Sequence, residues 1–443
     1  MVVQNKTFRP IYYLGCKANF TDAIQLALNE VDPSKGHVCD LFSGSGVVGA
    51  ALAESRTVTE VDIQEYSRVL GSAQLNPLRM EGDKVSATID EIRKSLIYKK
   101  LMECLSPLIE YELAALSIEN TDNPQQLIEL LESQPIVAYD HNTEQTELGV
   151  AMREVVRRLK SDALWDSPDS TVTRNFGGIY FSYIQSITLD AILKYSDSQP
   201  EGSRDTFKAA ALSTASQLVN TVGKQFAQPI QPRNKSGTTK RGLAKMAQKD
   251  RSMDALSMYS QWLNQYATLP CSIKGSRAIR ADYSSALNDA NLKFSAVYAD
   301  PPYTRDHYSR FYHVLETMCL RDNPEISKVM KSGRISPSRG IYRAERHQSP
   351  FCIRSTAPLA FDNLFKSARM RDLPLVLSYS PHETGDGTHP RVVSTSQIME
   401  LANGYYSKVQ LMTVDGVIHN KLNRNDLNLK TRDHAEILIK CFI

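Results

Sequence analysis

No run of about 18 apolar residues occurs anywhere in this 443-residue chain, and its opening segment, Met1-Val2-Val3-Gln4-Asn5-Lys6, has no apolar core of the kind a secretory leader needs. A membrane-embedded or exported protein is therefore not expected. Seven cysteines, at 16, 39, 104, 271, 319, 352 and 441, include no C-x-x-C pair, and the nine histidines form no H-x-x-x-H. These absences argue against a zinc site or any other bound metal and against a disulfide framework, and they suit a reducing cytoplasm. A phosphate-binding P-loop is missing as well, since no Lys-Ser/Thr follows a glycine cluster. No internal repeat is visible.

What remains is an ordinary globular composition, 42% hydrophobic and 23% charged, with enough chain for two or three domains. Net charge is only +3 but is unevenly spread. Residues 101–170 hold fourteen acids against four bases, residues 221–280 eleven bases against two acids, and residues 301–443 twenty bases against fourteen acids. Such asymmetry points to a polyanion meeting one side of the molecule.

The most informative residues are Asp300-Pro301-Pro302-Tyr303. They follow Ser295-Ala296-Val297-Tyr298-Ala299, an apolar run that reads as a buried strand, so the acid falls at the strand's carboxyl end, where open α/β sheets bind ligands. Two prolines fix two φ angles and remove two N–H donors. A carboxylate, an outward carbonyl and an aromatic ring are thereby held in a small rigid corner. That corner suits a planar base with an exocyclic amine: carboxylate and Pro301 carbonyl accept the two N–H bonds, and Tyr303 stacks on the base. An ordinary strand-to-loop turn remains the alternative for this motif alone.

A second motif is Asp40-Leu41-Phe42-Ser43-Gly44-Ser45-Gly46, lying between the short strand His37-Val38-Cys39 and a helical run from Val48 to Glu54. Strand, glycine turn, helix is the setting of a nucleotide-type cofactor loop. Gly44 and Gly46 permit a tight turn and close backbone approach. Asp40, where a dinucleotide site would more usually have glycine, suits a cationic or amine-bearing ligand such as the methionine part of S-adenosylmethionine. Downstream, Thr57-Val58-Thr59-Glu60-Val61-Asp62 reads as a second strand ending in an acid fit to receive a ribose.

Together these segments resemble the N6-adenine DNA methyltransferases of the DNA adenine methylase type (the alpha group). That family has a G-x-K segment, an F-x-G-x-G loop, an acid ending strand two, and a late D-P-P-Y. Here they correspond to Tyr12-Tyr13-Leu14-Gly15-Cys16-Lys17, Phe42–Gly46, Val61-Asp62-Ile63 and Asp300–Tyr303, over roughly residues 8–75 and 275–443. The usual G-G-K is Gly15-Cys16-Lys17. Arg280-Ala281-Asp282-Tyr283 looks like the segment whose acid meets the cofactor's adenine. The resemblance implies a Rossmann-like α/β methyltransferase sheet closed by an antiparallel C-terminal hairpin, with S-adenosylmethionine as cofactor and double-stranded DNA as partner. It implies catalysis by Asp300, Pro301, Pro302 and Tyr303, and cofactor contacts from Tyr12, Lys17, Asp40, Phe42, Ser43, Gly44, Gly46, Asp62, Asp282 and Tyr283. A restriction or phage-defence setting, with cognate restriction or defence proteins, goes with it. Periodicity alone says only α/β.

The expected division is a catalytic domain from residues 1–80 and 270–443, with a helical insertion over 81–269 as the DNA target-recognition region. Glu129–Glu132 and Val155–Leu159 carry amphipathic spacing, Tyr180–Leu193 reads as a helix with a core aromatic stripe, and Gln228–Gly242 as a loop. The closing hairpin is expected from Val409–Val414 and Glu436–Phe442. Phosphate contacts are expected from Lys235, Lys240, Arg241, Lys245, Lys249 and Arg251, and from Arg305, Arg343, Arg346, Lys421 and Arg424. Other readings stay open: an RNA adenine or DNA cytosine-N4 methyltransferase, an inactive DNA-binding homologue, and a dinucleotide oxidoreductase, disfavoured on the expectation that the loop is not of the G-x-G-x-x-G type.

Overall fold

Short apolar runs rich in valine, isoleucine and leucine become strands here, and the longer segments with 3.6-residue spacing become helices. The computed structural model describes residues 8–117, 124–139, 145–303, 308–331, 333–380, 391–414 and 436–443. These residues contain nine strands: β1 (Val38–Leu41), β2 (Val58–Asp62), β3 (Arg277–Arg280), β4 (Ala296–Ala299), β5 (Lys328–Lys331), β6 (Arg334–Pro337), β7 (Leu375–Tyr379), β8 (Lys408–Val414) and β9 (Glu436–Phe442). The chain divides into two units, one of Met1–Pro77, Leu269–Ser309 and His347–Ile443, the other of Leu78–Thr268 and Arg310–Arg346. Residues 310–346, expected with the catalytic sheet, thus group with the helical unit.

The first unit is built on a seven-stranded sheet in the order β3-β2-β1-β4-β7-β9-β8. The five strands from β3 to β7 run parallel, and β9 lies antiparallel between β7 and β8. This mainly parallel sheet with an antiparallel pair is the Rossmann-like methyltransferase architecture. β1, β4 and β7 are buried along their whole length because apolar side chains cover both faces. Alternation sorts them: Cys39, Leu41, Val297, Ala299, Leu375 and Leu377 face a core that includes the helix Ala357–Arg369. Val38, Ala296, Tyr298, Val376 and Leu438 face the opposite core, under the helix Thr21–Val31.

Register brings the two motifs together. Leu41 pairs with Ala299, and the Asp300 amide donates to the Leu41 carbonyl at 3.3 Å. The glycine loop and the D-P-P-Y corner therefore leave adjacent strands at the same edge. Strand order reverses between β1 and β4, which opens a crevice at that edge.

The second unit is mainly helical. The helix Leu96–Ala115 packs on Glu147–Ser161 and Tyr183–Asp197, and Glu201–Leu218 packs on Ala255–Ala267. Ser182 and Gln185 close a reciprocal cap on Tyr183–Asp197. Tyr180, Phe181 and Tyr183 are fully buried, so the aromatic stripe is core. β5 and β6 form a separate hairpin in this unit. No helix among the described residues is long and apolar enough to cross a membrane.

Candidate active site

A cavity of about 1120 Å³, counting its open mouth, lies at the carboxyl edge of β1, β2 and β4 in the first unit. Its wall includes Lys17, Asp40, Phe42, Ser43, Asp62, Asp282, Tyr283, Asp300, Pro301, Pro302 and Tyr303, all expected at the site. Tyr12, Gly44 and Gly46 are not on that wall; half of Tyr12's surface is exposed, and the glycines lie in the loop whose Phe42, Ser43 and Ser45 line the cavity. Tyr13, the neighbour of Tyr12, lines the cavity instead, with its ring 5.7 Å from that of Tyr308.

The glycine loop is shaped by positive φ angles: 56° at Gly44 and 77° at Gly46, the residue that begins the helix Val47–Leu52. A Cβ on Gly44 would come within 2.5 Å of the Tyr13 hydroxyl, so both conformation and space require glycine. Asp62 ties this loop down. One of its carboxylate oxygens accepts from the Gly44 amide at 3.0 Å, the other from the Gln64 amide at 2.9 Å. Gly44, Gly46 and Gly49 also match the G-x-G-x-x-G spacing of dinucleotide loops, so spacing alone does not separate the two classes. Asp40 and the D-P-P-Y corner do.

Acids crowd the site. Asp40 is buried, and one of its oxygens has no hydrogen-bond partner among the described residues, as is true of the Ser43 hydroxyl. Burial, then the charges of Asp300 and Asp62, push the Asp40 carboxyl well above its ordinary value. Burial also raises Asp62, against the hydrogen bonds it receives from Gln64 and Gly44. On the described wall four aspartates, Asp40, Asp62, Asp282 and Asp300, face one lysine. Such a lining suits a ligand that brings positive charge. Asp282 caps the helix Tyr283–Asn288 through the Ser284 amide, and Tyr283 packs on Phe42 at 5.5 Å and Phe351 at 5.3 Å. That apolar lining fits a flat ring.

Lys17 has a role the motif comparison did not assign. Its ammonium lies 3.0 Å from the Asp300 carboxylate and 3.6 Å from that of Glu436, and it sits over the Tyr303 ring at 5.6 Å. Burial would depress this ammonium, but Asp300 and Glu436 outweigh it and hold it well above its ordinary value. Glu436 was read only as the start of a strand. It is buried and accepts from the Ser378 hydroxyl at 3.2 Å. The signal was an acid opening an otherwise apolar strand, a residue buried without loss only beside a cation.

The Pro301 carbonyl accepts no hydrogen bond among the described residues and stays available. The Tyr303 ring lies edge to face with Tyr379 at 5.2 Å, and the Arg391 guanidinium sits 4.6 Å from its centroid.

Among the expected phosphate contacts, Lys235, Lys240, Arg241, Lys245 and Lys249 are exposed in the second unit. Arg251 is not: its guanidinium is buried against Glu112 at 2.5 Å and donates to Asn220 and the Gly178 carbonyl. Leu243, Ala247 and Arg251 recur every four residues along the helix Leu243–Arg251, and all three are buried, so Arg251 is on the helix's inner face. Arg343 forms a two-pronged pair with Asp322 at 2.7 and 2.5 Å. Arg346 stacks on Tyr342. Arg305, Lys421 and Arg424 lie outside the described residues.

Residues 13–107 match the family model of the D12 class N6 adenine-specific DNA methyltransferases. The chain resembles that class over this segment, which includes Lys17, the glycine loop and Asp62. It is also 27% identical over 169 residues to the modification methylase LlaI of Lactococcus lactis subsp. lactis, a match covering 37% of this chain and 23% of that protein. The chain thus spans about a quarter of that relative's length.

Proposed function

We propose that this protein transfers a methyl group from S-adenosylmethionine to the N6 amine of an adenine swung out of double-stranded DNA. The carrying observation is that Asp300, anchored on Lys17, shares one cavity with the glycine loop. When bound, S-adenosylmethionine supplies an electrophilic methyl on a positively charged sulfur. Asp40, Ser43, the Phe42–Gly46 loop, Asp282 and the Tyr283–Phe42 surface are the residues that would hold it. The surplus of acids in the wall and the unpartnered atoms of Asp40 and Ser43 fit that cation.

The adenine amine is a poor nucleophile because its lone pair is delocalised into the ring. Asp300 and the Pro301 carbonyl accept its two N–H bonds, which shifts the nitrogen toward a tetrahedral shape and aims the lone pair into the cavity. This is positioning and electrostatics, with no covalent intermediate on the protein. Lys17 keeps the Asp300 carboxylate in one orientation. Tyr303 holds the base by stacking, its ring oriented by Tyr379 and Arg391. The second unit, with exposed Lys235, Lys240 and Arg241, contacts the duplex and selects the site. The relative named as a modification methylase supports a setting beside a restriction or defence nuclease.

The test is nucleoside mass spectrometry of DNA incubated with purified protein and S-adenosylmethionine. N6-methyladenine that disappears with Asp300→Ala is expected. N4-methylcytosine, methylated RNA, or unaltered methylation by Asp300→Ala would overturn the assignment.

A further inference from the structure

In the second unit the guanidinium carbons of Arg310 and Arg346 lie 5.1 and 4.9 Å from the centroid of the same ring, Tyr342. The two charges are therefore no more than about 10 Å apart. Neither has a carboxylate within ion-pair distance among the described residues, whereas Arg343 does. Arg343 is spent on Asp322, Arg321 on Asp169 and Asp197, Arg233 on Glu132, and Arg251 on Glu112. The Nε of Arg346 is buried and also lacks a partner among the described residues.

The platform is rigid. The Tyr342 hydroxyl donates to the Ala227 carbonyl, its amide donates to the Ser338 hydroxyl at 3.0 Å, and its ring meets His313 edge to face at 5.1 Å. His313 adds no charge: burial first, then nearby arginines, hold its pKa down to about 3. Two guanidiniums on one pinned ring, with no acid between them among the described residues, repel each other until an anion with several acceptor oxygens bridges them.

We propose that Arg310 and Arg346, stacked on Tyr342, form a clamp for a backbone phosphate of the DNA strand that delivers the target base. This rests on the reading of DNA as substrate. It separates Arg346, which is available, from Arg343, which is not.

The experiment is binding of the full-length protein to a labelled DNA duplex, measured across salt concentration for wild type, Arg310→Ala, Arg346→Ala and the double variant. Each single variant is expected to weaken binding roughly tenfold at low salt, and the double variant to reduce the log–log salt slope by about 0.9, the contribution of one phosphate. Arg310→Lys and Arg346→Lys are expected to restore the slope but only part of the affinity, because the stacked fork is lost. Tyr342→Phe is expected to retain binding, while Tyr342→Leu, folded by circular dichroism, is expected to lose it in parallel with the arginine variants. Unchanged slope and affinity in the folded double variant would overturn the clamp, even if the protein methylates DNA. So would competition for these residues by inorganic phosphate without any effect on the DNA slope, or no DNA binding by the wild type. Normal salt-dependent binding through these arginines with no methyl transfer would leave the clamp standing and overturn the catalytic assignment instead.

Discussion

Replacing Lys17 by methionine removes a cation that lies between two carboxylates, one of them fully enclosed. The side chains of Lys17, Asp300 and Glu436 are 4%, 20% and 1% exposed, so water screens the group poorly. At an effective dielectric of about 20, charges at these separations of 3.0 and 3.6 Å attract by roughly 5 kcal/mol each. Desolvating the ammonium and the glutamate offsets most of that gain, but it does not come back when the lysine alone is removed, because Glu436 stays buried while it loses the Lys17 contact. The expected loss is about 3–5 kcal/mol for the first unit, or roughly 6–20 °C in its melting midpoint at about 2–4 °C per kcal/mol. Methyl transfer should fall further than stability explains, by roughly 10²–10³, since Asp300 loses its anchor. Adding Glu436→Gln to Lys17→Met removes the stranded charge, so it should return about 1–3 kcal/mol of stability without restoring the rate. Urea unfolding and single-turnover methylation of the two variants make the comparison. A Lys17→Met protein as stable as the wild type and methylating within about twofold of it would refute the reasoning.

Tyr303→Phe should keep activity and Tyr303→Ala should lose most of it, because stacking and the Arg391 contact need the ring; single-turnover rates decide, and an inactive, folded Phe variant would assign the role to the hydroxyl. Gly44→Val should weaken S-adenosylmethionine binding at least tenfold by calorimetry, since its Cβ meets Tyr13 and φ is positive; unchanged affinity would remove this loop from the cofactor site. His313, buried and held neutral down to about pH 3, makes the second unit acid-labile. Its folded pKa lies below the unfolded value, so the unfolded chain alone binds that proton as pH falls below about 6.5, and stability declines by about 3 kcal/mol on reaching pH 4. Unfolding midpoints against pH should decline less for His313→Gln; identical acid limbs would sink this explanation.

Local chemistry made the two motifs legible. Apolar runs ended by Asp300 and by the Asp40–Gly46 turn give strand, corner and helix whatever surrounds them, because proline and glycine restrict the backbone at those points. Parallel register then forces both to one edge, so their meeting followed from the fold class that the motifs already implied. The side chosen by each neighbour was a different matter. Whether Tyr12 or Tyr13 turns inward depends on the path of an irregular segment, which carries no period to read. Asp62 looked free for a ribose, yet its oxygens already hold two backbone amides.

Arg251 was legible in retrospect: it continues the four-residue spacing of Leu243 and Ala247, and helical period outranks charge in deciding which face is buried. Glu436 was not. It reaches Lys17 only because β9 enters the sheet antiparallel beside β7, which puts the start of β9 at the same edge as the ends of the parallel strands. The sequence by itself determined the sheet, the glycine loop and the reactive corner, each set by a few adjacent residues. The tertiary structure alone decided how the acids are shared out, with Asp300 and Glu436 around Lys17 and Arg310 and Arg346 left without one among the described residues, since a buried charge takes its partner from whatever the packing brings within about 4 Å.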